Sequence, residues 1–304
     1  MYDIIIIGGG PAGLTAGIYT GRAKLKTLII EQLAAGGQAA TTDLIDNYPG
    51  VAEGCTGPAL SDRMEEQAKT FGCEFKLAEV TGVDFSGKEK IVRTDREEFK
   101  SKVVIIASGA TYRKLGFPGE EEFTGRGVSY CATCDAAFFE ELPVAVVGGG
   151  DSAISAAIFL AKFASRVFVI HRRDELRATK ILQDRAFANP KIEIVWDSVV
   201  DEIRGTDTVE TVRVKNVKDG KLSDLSVDGV FMYVGLTPNT EFLGGAVELD
   251  SQNYIPVTPN METNVPGVFA IGDVTAKLLR QVVTAAGDGA TAAFAAEHYI
   301  NDNF

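Results

Sequence analysis

Two glycine-rich segments constrain the fold of this 304-residue chain more than any other feature. Residues 8–13 read GGGPAG and residues 148–153 read GGGDSA, so the second segment begins 140 positions after the first. Each follows a short apolar run, at 4–7 and 144–147, and each precedes an apolar helical stretch and a further apolar run. Strand, glycine turn, helix and strand form a βαβ unit whose glycines let a pyrophosphate approach a helix N-terminus. The sequence therefore predicts two dinucleotide-binding units related by an internal repeat.

The predicted fold class is α/β, with two Rossmann-like dinucleotide-binding domains of three layers each. Beyond residue 240 the chain contains a strand that ends at Gly272-Asp273 and a long helix that starts near Arg280-Gln281, but no further βαβ unit. We therefore expect this segment to complete the first domain, with the second domain inserted into it. The predicted domains are residues 1–116 with 241–304, and residues 117–240.

The residue at the end of the second strand predicts which nucleotide each unit binds. In the first unit it is Glu31, whose carboxylate accepts hydrogen bonds from a ribose 2′-hydroxyl and repels a 2′-phosphate. The equivalent position of the second unit is His171, followed by Arg172, Arg173 and Arg177. Arginines bind phosphate through charge-assisted, bidentate hydrogen bonds. The second unit is therefore predicted to bind NADP, with a solvated basic patch as the alternative interpretation of the arginines.

A Cys-x-x-Cys motif, Cys131 to Cys134, precedes the second glycine segment. Such a pair can cycle between dithiol and disulfide. No second cysteine pair or histidine cluster in the sequence completes a zinc site, so redox chemistry is favoured over metal binding. Together with two nucleotide sites, the pair predicts an electron relay from nicotinamide to flavin to disulfide. Asp135 is a candidate proton donor or acceptor for this relay, and a helix N-cap is its alternative role.

Composition excludes several classes of protein. The formal net charge of −12 argues against partners with a nucleic-acid backbone or an anionic membrane surface. Four cysteines are too few for a secreted disulfide scaffold, and we expect Cys55 and Cys73 to be buried thiols. The sequence contains neither a signal peptide nor an apolar run of membrane-spanning length. We therefore predict a cytoplasmic protein that binds no metal.

On these motifs the chain resembles the low-molecular-weight, bacterial-type thioredoxin reductases, class II of the pyridine nucleotide-disulfide oxidoreductases, over essentially its whole length. The matching residues, besides the two glycine segments, are Glu31, 36–38 (GGQ), 47–50 (NYPG), 131–135 (CATCD), 171–173 (HRR) with Arg177, 235–240 (GLTPNT), 272–273 (GD) and 280–281 (RQ). The resemblance implies a homodimeric enzyme that passes electrons from NADPH through FAD and the Cys131–Cys134 disulfide to oxidised thioredoxin.

The resemblance also implies which residues form each site. The implied FAD-binding residues are Gly8, Gly10, Pro11, Ala12, Gly13, Glu31, Gly37, Gln38, Asn47, Gly109, Gly272, Asp273, Arg280 and Gln281. The implied NADPH-binding residues are Gly148, Gly150, Asp151, Ser152, Ala153, His171, Arg172, Arg173 and Arg177. Cys134 would face the flavin and Cys131 would attack thioredoxin. The inserted domain would rotate to present the nicotinamide and the cysteine pair to the flavin in turn.

One departure from the family pattern concerns the electron donor. Many relatives carry two glutamates just after the second glycine segment, where this chain has Ser155 and Ala156. Part of the wider family reduces thioredoxin with a donor other than NADPH. An enzyme with a different donor, or with a different thioredoxin-like partner, is therefore the alternative interpretation, although the arginine cluster argues against a different donor.

Three other classes stay open on the sequence. A flavodoxin or ferredoxin reductase uses the same scaffold but lacks the cysteine pair. The reductase module of a peroxide-reducing system usually has an extra N-terminal thiol domain, whereas this chain starts directly at the first strand. A non-enzymatic redox sensor would not turn over NADPH with a disulfide substrate.

Overall fold

A computed structural model of the protein describes residues 1–42, 45–51 and 54–304. The chain divides into two units, one formed by Met1–Thr111 with Thr237–Phe304 and the other by Tyr112–Leu236. The first unit is thus discontinuous in sequence. The junctions between these units, at 111/112 and 236/237, lie a few residues before the predicted ones at 116/117 and 240/241.

Hydrogen bonds explain why both junctions come earlier in the chain. Leu115 and Gly116 donate their backbone N–H groups to the buried carboxylate of Glu120, at 2.8 and 2.5 Å, and therefore belong to the second unit. Asn239 donates its backbone N–H to the carbonyl oxygen of Gly109 at 3.0 Å and therefore belongs to the first. The first two contacts depend on the burial of Glu120 and the third joins residues distant in sequence, so the local pattern carries no sign of them.

Each unit contains the strand, helix and strand that the repeat predicts around its glycine turn, together with further strands and helices. In chain order the strands are β1 (Tyr2–Ile7), β2 (Thr27–Glu31), β3 (Glu74–Leu77), β4 (Val80–Asp84), β5 (Lys90–Thr94), β6 (Glu98–Ile106), β7 (Ala110–Tyr112), β8 (Val128–Ser129), β9 (Pro143–Val147), β10 (Arg166–Ile170), β11 (Ile192–Val195), β12 (Ser198–Gly205), β13 (Val209–Asn216), β14 (Leu222–Ser226), β15 (Gly229–Met232), β16 (Leu236–Pro238) and β17 (Val268–Ala270). The helices are α1 (Pro11–Arg22), α2 (Gly57–Thr70), α3 (Ala132–Asp135), α4 (Asp151–Leu160), α5 (Lys180–Phe187) and α6 (Val282–Asn303).

The sheet of the first unit has the order β3-β2-β1-β6-β5-β4, and β17 pairs with the C-terminal half of β6. Strands β1, β2, β3, β6 and β17 are parallel, whereas β4 and β5 form an antiparallel extension. Strand β1 is apolar at every position from Ile4 to Ile7 because both faces of the sheet are covered. Ile4 and Ile6 pack into one core with α1 and α6, and Ile5 and Ile7 into a second core on the other face.

The second unit repeats this plan. Its parallel sheet has the order β11-β10-β9-β15-β8, and β12, β13 and β14 form a separate antiparallel sheet. Val144 and Val146 of β9 pack under α4, and Ala145 and Val147 pack on the opposite face with β12 and β13. The predicted α/β fold with two Rossmann-like units, the second inserted into the first, is confirmed.

Capping residues determine where two helices begin. Helix α2 begins at Gly57 because the Thr56 hydroxyl caps it by accepting the backbone N–H of Ala59 at 3.3 Å. Helix α6 starts at Val282, close to the predicted start near Arg280-Gln281, after a capping box formed by Gln281 and Thr284, and it ends at Asn303. Within the described part of the chain, no helix combines the length and apolar character needed to cross a bilayer.

Candidate active site

The first glycine turn joins β1 to α1 and requires glycine at two positions. Gly8 has a φ of +108°, and a Cβ there would lie 2.3 Å from the carbonyl oxygen of Ala107. A Cβ on Gly13 would lie 1.9 Å from the carbonyl oxygen of Gly8. A Cβ on Gly10, in contrast, would meet no described atom within 4 Å. Open space therefore lies at the N-terminus of α1, which begins with Pro11 and presents unpaired backbone N–H groups.

The carboxylate of Glu31 is held beside this turn by three backbone N–H groups. Oε2 accepts the N–H of Gly9 at 2.7 Å, and Oε1 accepts those of Gln32 and Leu33 at 2.8 and 3.2 Å. The negative charge therefore has a defined position at the end of β2. It favours hydroxyl donors there and repels a phosphate.

A second glycine-rich loop faces the first turn. Gly36 donates its N–H to the carbonyl oxygen of Gly9 at 2.7 Å. A Cβ on Gly37 would lie 3.3 Å from the Cα of Gly10. The two backbones thus form a cradle with no side chain at its closest point, which fits a bulky phosphate-bearing group.

Two more pairs of predicted cofactor residues meet in the first unit. The side-chain amide of Gln38 donates to the carbonyl oxygen of Ala110, and this places it next to Gly109, which has a φ of +67°. Asn47 donates its side-chain amide to Oε1 of Gln281 at 3.0 Å, although the two residues are 234 positions apart. The fold therefore gathers residues that the sequence scatters along the whole first unit.

The segment after β17 reaches the first glycine turn directly. Gly272 has a φ of +72°, and a Cβ there would lie 2.9 Å from the Cβ of Ala12. Asp288 of α6 accepts the N–H of Gly272 at 2.9 Å and pairs with Lys277. Desolvation by burial raises the pKa of Asp273, and the nearby Asp288 carboxylate adds to this effect. A carboxyl group with a raised pKa at this place is suited to hydrogen bonding with hydroxyl groups.

The side chain of Arg280 is bound to its own loop. Its guanidinium donates to the carbonyl oxygens of Asp273, Thr275 and Lys277 at 3.3, 3.2 and 3.2 Å, and it lies 4.1 Å from the ring centroid of Tyr254. These contacts hold the loop that carries Asp273. Arg280 therefore supports the site by shaping this loop.

The second glycine turn, between β9 and α4, has the same construction. Gly148 has a φ of +146°, and a Cβ there would lie 2.4 Å from the carbonyl oxygen of Tyr233. A Cβ on Gly150 would meet no described atom within 4 Å. Ser152 and Ala153 lie in the first turn of α4, so their backbone N–H groups point into this open space.

The loop after β10 folds back onto this turn. Arg177 donates its backbone N–H to the carbonyl oxygen of Gly149 at 2.8 Å. Thr179 donates its backbone N–H to Oδ1 of Asp151 at 2.7 Å, so the carboxylate of Asp151 already accepts a hydrogen bond from within the protein. The arginine-bearing loop and the glycine turn therefore form one connected structure.

The side chains of this loop form an exposed basic surface. Arg172, Arg173 and Arg177 are all exposed. Two acidic residues lie on the same loop. Asp174 pairs with Lys218 at 3.2 Å, which lowers the pKa of Asp174 and offsets its charge, and the exposed Glu175 balances one arginine. The loop therefore attracts an anionic group, as the predicted 2′-phosphate site requires.

His171 is buried and interacts within the protein. Its Nε2 lies 3.0 Å from the carbonyl oxygen of Glu175, and its ring contacts Trp196 edge-on. A Cβ on Gly149 would lie 2.3 Å from Nδ1 of the ring. Desolvation by burial lowers the pKa of His171, and the three neighbouring arginines lower it further. His171 is therefore neutral at pH 7 and supports the loop from beneath.

The redox pair lies at the start of α3. Cys131 and Cys134 form a disulfide with their Cα atoms 5.3 Å apart. Cys131 is the N-cap residue of α3, and its Sγ accepts the backbone N–H of Cys134 at 3.3 Å. Ser129 Oγ accepts the backbone N–H of Cys131 at 3.0 Å. Cys134 is exposed and Cys131 is partly buried, and a thiolate at Cys131 would keep the Cys134 N–H as a donor.

Asp135 ends α3 and directly precedes the 3₁₀ helix Ala136–Phe139. Its backbone N–H donates to the carbonyl oxygen of Cys131 at 3.2 Å. Its carboxylate does not cap that helix through any described hydrogen bond, and the N-cap of α3 is Cys131. Asp135 thus occupies the N-cap position of the 3₁₀ helix without a described side-chain capping bond, and both of its predicted roles stay predictions.

Three residues around the redox turn were not predicted. The hydroxyl oxygen of Tyr233 accepts the backbone N–H of Ala132 at 3.0 Å. Tyr130 donates its hydroxyl to Oε1 of the buried Glu120 at 2.9 Å. The internal repeat could have indicated Tyr233. In the first unit Ala107 follows β6 and lies against the first glycine turn, and in the second unit Tyr233 follows β15 and lies against the second glycine turn.

Two dinucleotide-binding units and a redox-active disulfide define a nucleotide-dependent disulfide oxidoreductase. Residues 2–289 match the pyridine nucleotide-disulphide oxidoreductase family, and the chain belongs to this family. It is 49% identical over 310 residues to a thioredoxin reductase of Peptoclostridium acidaminophilum, covering 100% of this chain and 98% of the relative. It is 47% identical over 304 residues to that of Bacillus subtilis, covering 99% and 96%. The crystal structure of Lactococcus lactis thioredoxin reductase matches with a TM-score of 0.98 at 46% identity, covering 99% of this chain and 100% of that one. The predicted resemblance is confirmed.

Proposed function

We propose that this protein is an NADPH-dependent flavoprotein that reduces the disulfide of thioredoxin. The observation that carries the proposal is the Cys131–Cys134 disulfide, which lies in the same unit as a glycine turn with a basic loop. The other unit has a glycine turn of its own, beside the carboxylate of Glu31. The relatives named thioredoxin reductase match this chain over nearly its whole length, which supports the same activity here.

We assign FAD to the first unit. The cradle between the first glycine turn and the Gly36–Gly37 loop is open, and Glu31 favours a nucleotide without a 2′-phosphate. Asp273 directly follows Gly272, which lies against Ala12 of this turn, and provides a carboxyl group for hydroxyl groups. The proposed FAD residues are Gly8, Gly10, Pro11, Ala12, Gly13, Glu31, Gly37, Gln38, Asn47, Gly109, Gly272, Asp273 and Gln281, with Arg280 supporting the loop.

We assign NADPH to the second unit. The N-terminus of α4 is open for a pyrophosphate, and the exposed arginines are suited to the 2′-phosphate. The proposed NADPH residues are Gly148, Gly150, Ser152, Ala153, Arg172, Arg173 and Arg177. Asp151 and His171 belong to this site as supports, because their side chains are bound within the protein.

FAD bound in the first unit would supply two-electron transfer from NADPH. The Cys131–Cys134 disulfide accepts two electrons and two protons and becomes a dithiol. The thiolate of Cys131 then attacks one sulfur of the thioredoxin disulfide and forms a mixed disulfide, releasing the other thioredoxin sulfur as a thiolate. The thiolate of Cys134 next attacks the sulfur of Cys131. This step restores the Cys131–Cys134 disulfide and leaves thioredoxin reduced.

The contacts of the redox turn support this division of roles. The N–H of Cys134 stabilises a negative charge on the sulfur of Cys131, which favours Cys131 as the attacking thiolate. Asp135, one residue beyond Cys134, is the nearest carboxylate in sequence to the pair and can take or return a proton during the exchange.

We further propose that the protein works as a cytoplasmic homodimer. The free thiols of Cys55 and Cys73 are both buried, as is typical of proteins from a reducing compartment. Apolar side chains such as Tyr19 and Phe294 are exposed on neighbouring helices of the first unit and offer a surface for a second copy. Sedimentation equilibrium tests the dimer directly.

The electron donor has one alternative that a specific observation favours. Ser155 is exposed and Ala156 is buried on α4, at the positions where many relatives carry glutamates. A donor other than NADPH is therefore the second candidate. The exposed arginine loop favours NADPH.

Anaerobic mixing of the holoenzyme with NADPH, followed at the flavin absorbance band, tests the proposal. We expect rapid bleaching with NADPH, slower bleaching with NADH, and steady turnover once oxidised thioredoxin is added. Absence of bleaching by either nucleotide would indicate another donor. Bleaching without thioredoxin reduction would indicate a different disulfide partner.

A further inference from the structure

Tyr233 contacts both the redox turn and the second glycine turn, and no step described above uses it. Its hydroxyl oxygen accepts the backbone N–H of Ala132, the residue directly after Cys131, at 3.0 Å. Ala132 is 3% exposed, so water cannot readily replace this partner. A buried N–H group that loses its acceptor is destabilising. The hydroxyl of Tyr233 therefore restrains the turn that carries both sulfur atoms.

The backbone and the ring of Tyr233 are also held by contacts within the second unit. The backbone N–H of Tyr233 donates to the carbonyl oxygen of Val147 at 2.8 Å, and its own carbonyl oxygen excludes any side chain at Gly148. Its ring contacts that of Tyr112 edge-on, with the centroids 5.1 Å apart. Burial raises the pKa of the Tyr233 hydroxyl, so the group is neutral and its oxygen remains an acceptor. A rigid backbone, a fixed ring and a neutral hydroxyl make Tyr233 a defined anchor.

We infer that Tyr233 is a positioning residue for the redox pair: its hydroxyl holds the turn of Cys131 and Cys134 in the geometry that keeps the two sulfurs close. Two thiols that are held together have a high effective concentration, and this favours the disulfide over the dithiol. Loss of the hydroxyl loosens the turn and makes the disulfide easier to reduce. The inference rests on the proposed function, because it concerns the same cysteine pair.

The test is a redox titration of the full-length holoenzyme and its Tyr233→Phe variant in glutathione buffers. Two glutathione thiols reduce the protein disulfide to a dithiol and become glutathione disulfide, and alkylation with mass spectrometry counts the free thiols. We expect the equilibrium constant for reduction to rise about three- to tenfold in Tyr233→Phe, where tenfold corresponds to about 30 mV. Hydrogen exchange should also become faster at the Ala132 amide.

Tyr130→Phe is the matched control. It removes the same atom from a tyrosine next to Cys131, but that hydroxyl bonds to Glu120 and not to the redox turn. Its equilibrium constant should stay within about twofold of the native value. An unchanged constant in Tyr233→Phe, or an equal rise in both variants, would overturn the inference. The titration needs no NADPH and no thioredoxin, so its outcome is separate from that of the proposed function.

Discussion

Glu31 and His171 occupy equivalent positions of the two repeated units, but they make different contacts with the equivalent glycines, Gly9 and Gly149. The carboxylate of Glu31 accepts the N–H of Gly9 at 2.7 Å. The ring of His171 instead packs on Gly149, where a Cβ would lie 2.3 Å from Nδ1. One position thus carries a negative charge beside its glycine turn, and the other carries a neutral ring beneath exposed arginines. The same backbone is thereby suited to two nucleotides that differ by a phosphate.

The arginine loop should determine the preference for NADPH. Replacing Arg172 and Arg177 with alanine removes two charged donors for a 2′-phosphate, and charge-assisted hydrogen bonds are the stronger ones. We expect the KM for NADPH to rise at least about tenfold, since a loss of 1.4 kcal/mol already changes an equilibrium tenfold. The KM for NADH should change little. Steady-state kinetics with both nucleotides measure the difference.

Arg166→Ala provides the control for this variant, because Arg166 lies on β10 of the same unit but pairs with Glu193. Its kinetics should match those of the native enzyme with both nucleotides. An equal increase of KM for NADPH and NADH in the Arg172 and Arg177 variant would refute the assignment of the 2′-phosphate site.

Glu31→Arg should weaken the retention of FAD and leave NADPH binding to the remaining holoprotein nearly unchanged. The substitution removes the acceptor of three backbone N–H groups and places a positive charge beside the first glycine turn. The ratio of flavin to protein absorbance after gel filtration measures retention. A variant that stays yellow but loses affinity for NADPH would show that the two nucleotide sites are reversed.

The fold could be predicted from the sequence because its signals are local. The glycine turns, the apolar runs beside them and the charge at the end of the second strand all lie within short segments, such as the segment from Ile4 to Glu31. The disulfide between Cys131 and Cys134 could be predicted for the same reason, because the Cys-x-x-Cys motif is itself a short segment.

The supporting contacts could not be predicted because they join distant residues or depend on the direction of backbone groups in the folded chain. The bond from Tyr233 to Ala132 spans 101 positions, and the role of Arg280 depends on carbonyl groups whose direction follows from the folded loop. Buried Glu120 resembles the exposed Glu121 and Glu122 in the sequence, and only the fold distinguishes it from them. Sequence patterns thus identified the groups that react, but not most of the groups that hold them.

His171 should make the stability of the second unit depend on pH. Burial and the neighbouring arginines hold the pKa of His171 below its usual 6.5, so the folded state favours the neutral ring. The contribution is complete above about pH 6.5 and is lost as the pH falls from there through the pKa of the folded state. Denaturation with urea at pH 7.5 and 5.5, followed by Trp196 fluorescence, should show a lower midpoint at pH 5.5. Trp196 is the only tryptophan of the chain and touches His171.

His171→Gln should reduce this difference between the two pH values. The second histidine of the chain, His298, is exposed on α6 of the other unit, and His298→Gln should leave the difference unchanged. An identical pH dependence in the native protein and in His171→Gln would show that His171 does not titrate in this range.

Glu120 should be critical for the stability of the second unit. It is 1% exposed and accepts hydrogen bonds from Leu115, Gly116 and Tyr130. Glu120→Ala leaves these donors without their acceptor and should lower the free energy of unfolding by about 3 kcal/mol, measured by urea denaturation. Glu121→Ala, at the exposed neighbouring position, should change it by less than about 0.5 kcal/mol. Equal effects of the two substitutions would mean that the carboxylate of Glu120 contributes no more than a surface group.

A trapping experiment should distinguish the roles of Cys131 and Cys134. Thiol–disulfide exchange passes through a mixed disulfide, in which one sulfur is bound to the partner and the other resolves the complex. In Cys134→Ser the thiol of Cys131 remains, together with the backbone N–H of residue 134 that stabilises its anion. This variant should form a stable covalent adduct with oxidised thioredoxin, which mass spectrometry detects at the summed mass of the two proteins. Cys131→Ser should form none.

Both variants should still bleach the flavin with NADPH, because both nucleotide sites are intact, and both should fail to turn over a protein disulfide. The exposure of the two residues makes the outcome informative, since Cys134 is the more exposed of the pair. If exposure determined the attacking sulfur, the adduct would form on Cys134 in Cys131→Ser, and the roles would have to be exchanged. If the hydrogen bond to Cys131 determines it, the adduct forms only in Cys134→Ser. Full disulfide reductase activity in either variant would exclude the relay altogether, because a single thiol cannot both attack and resolve.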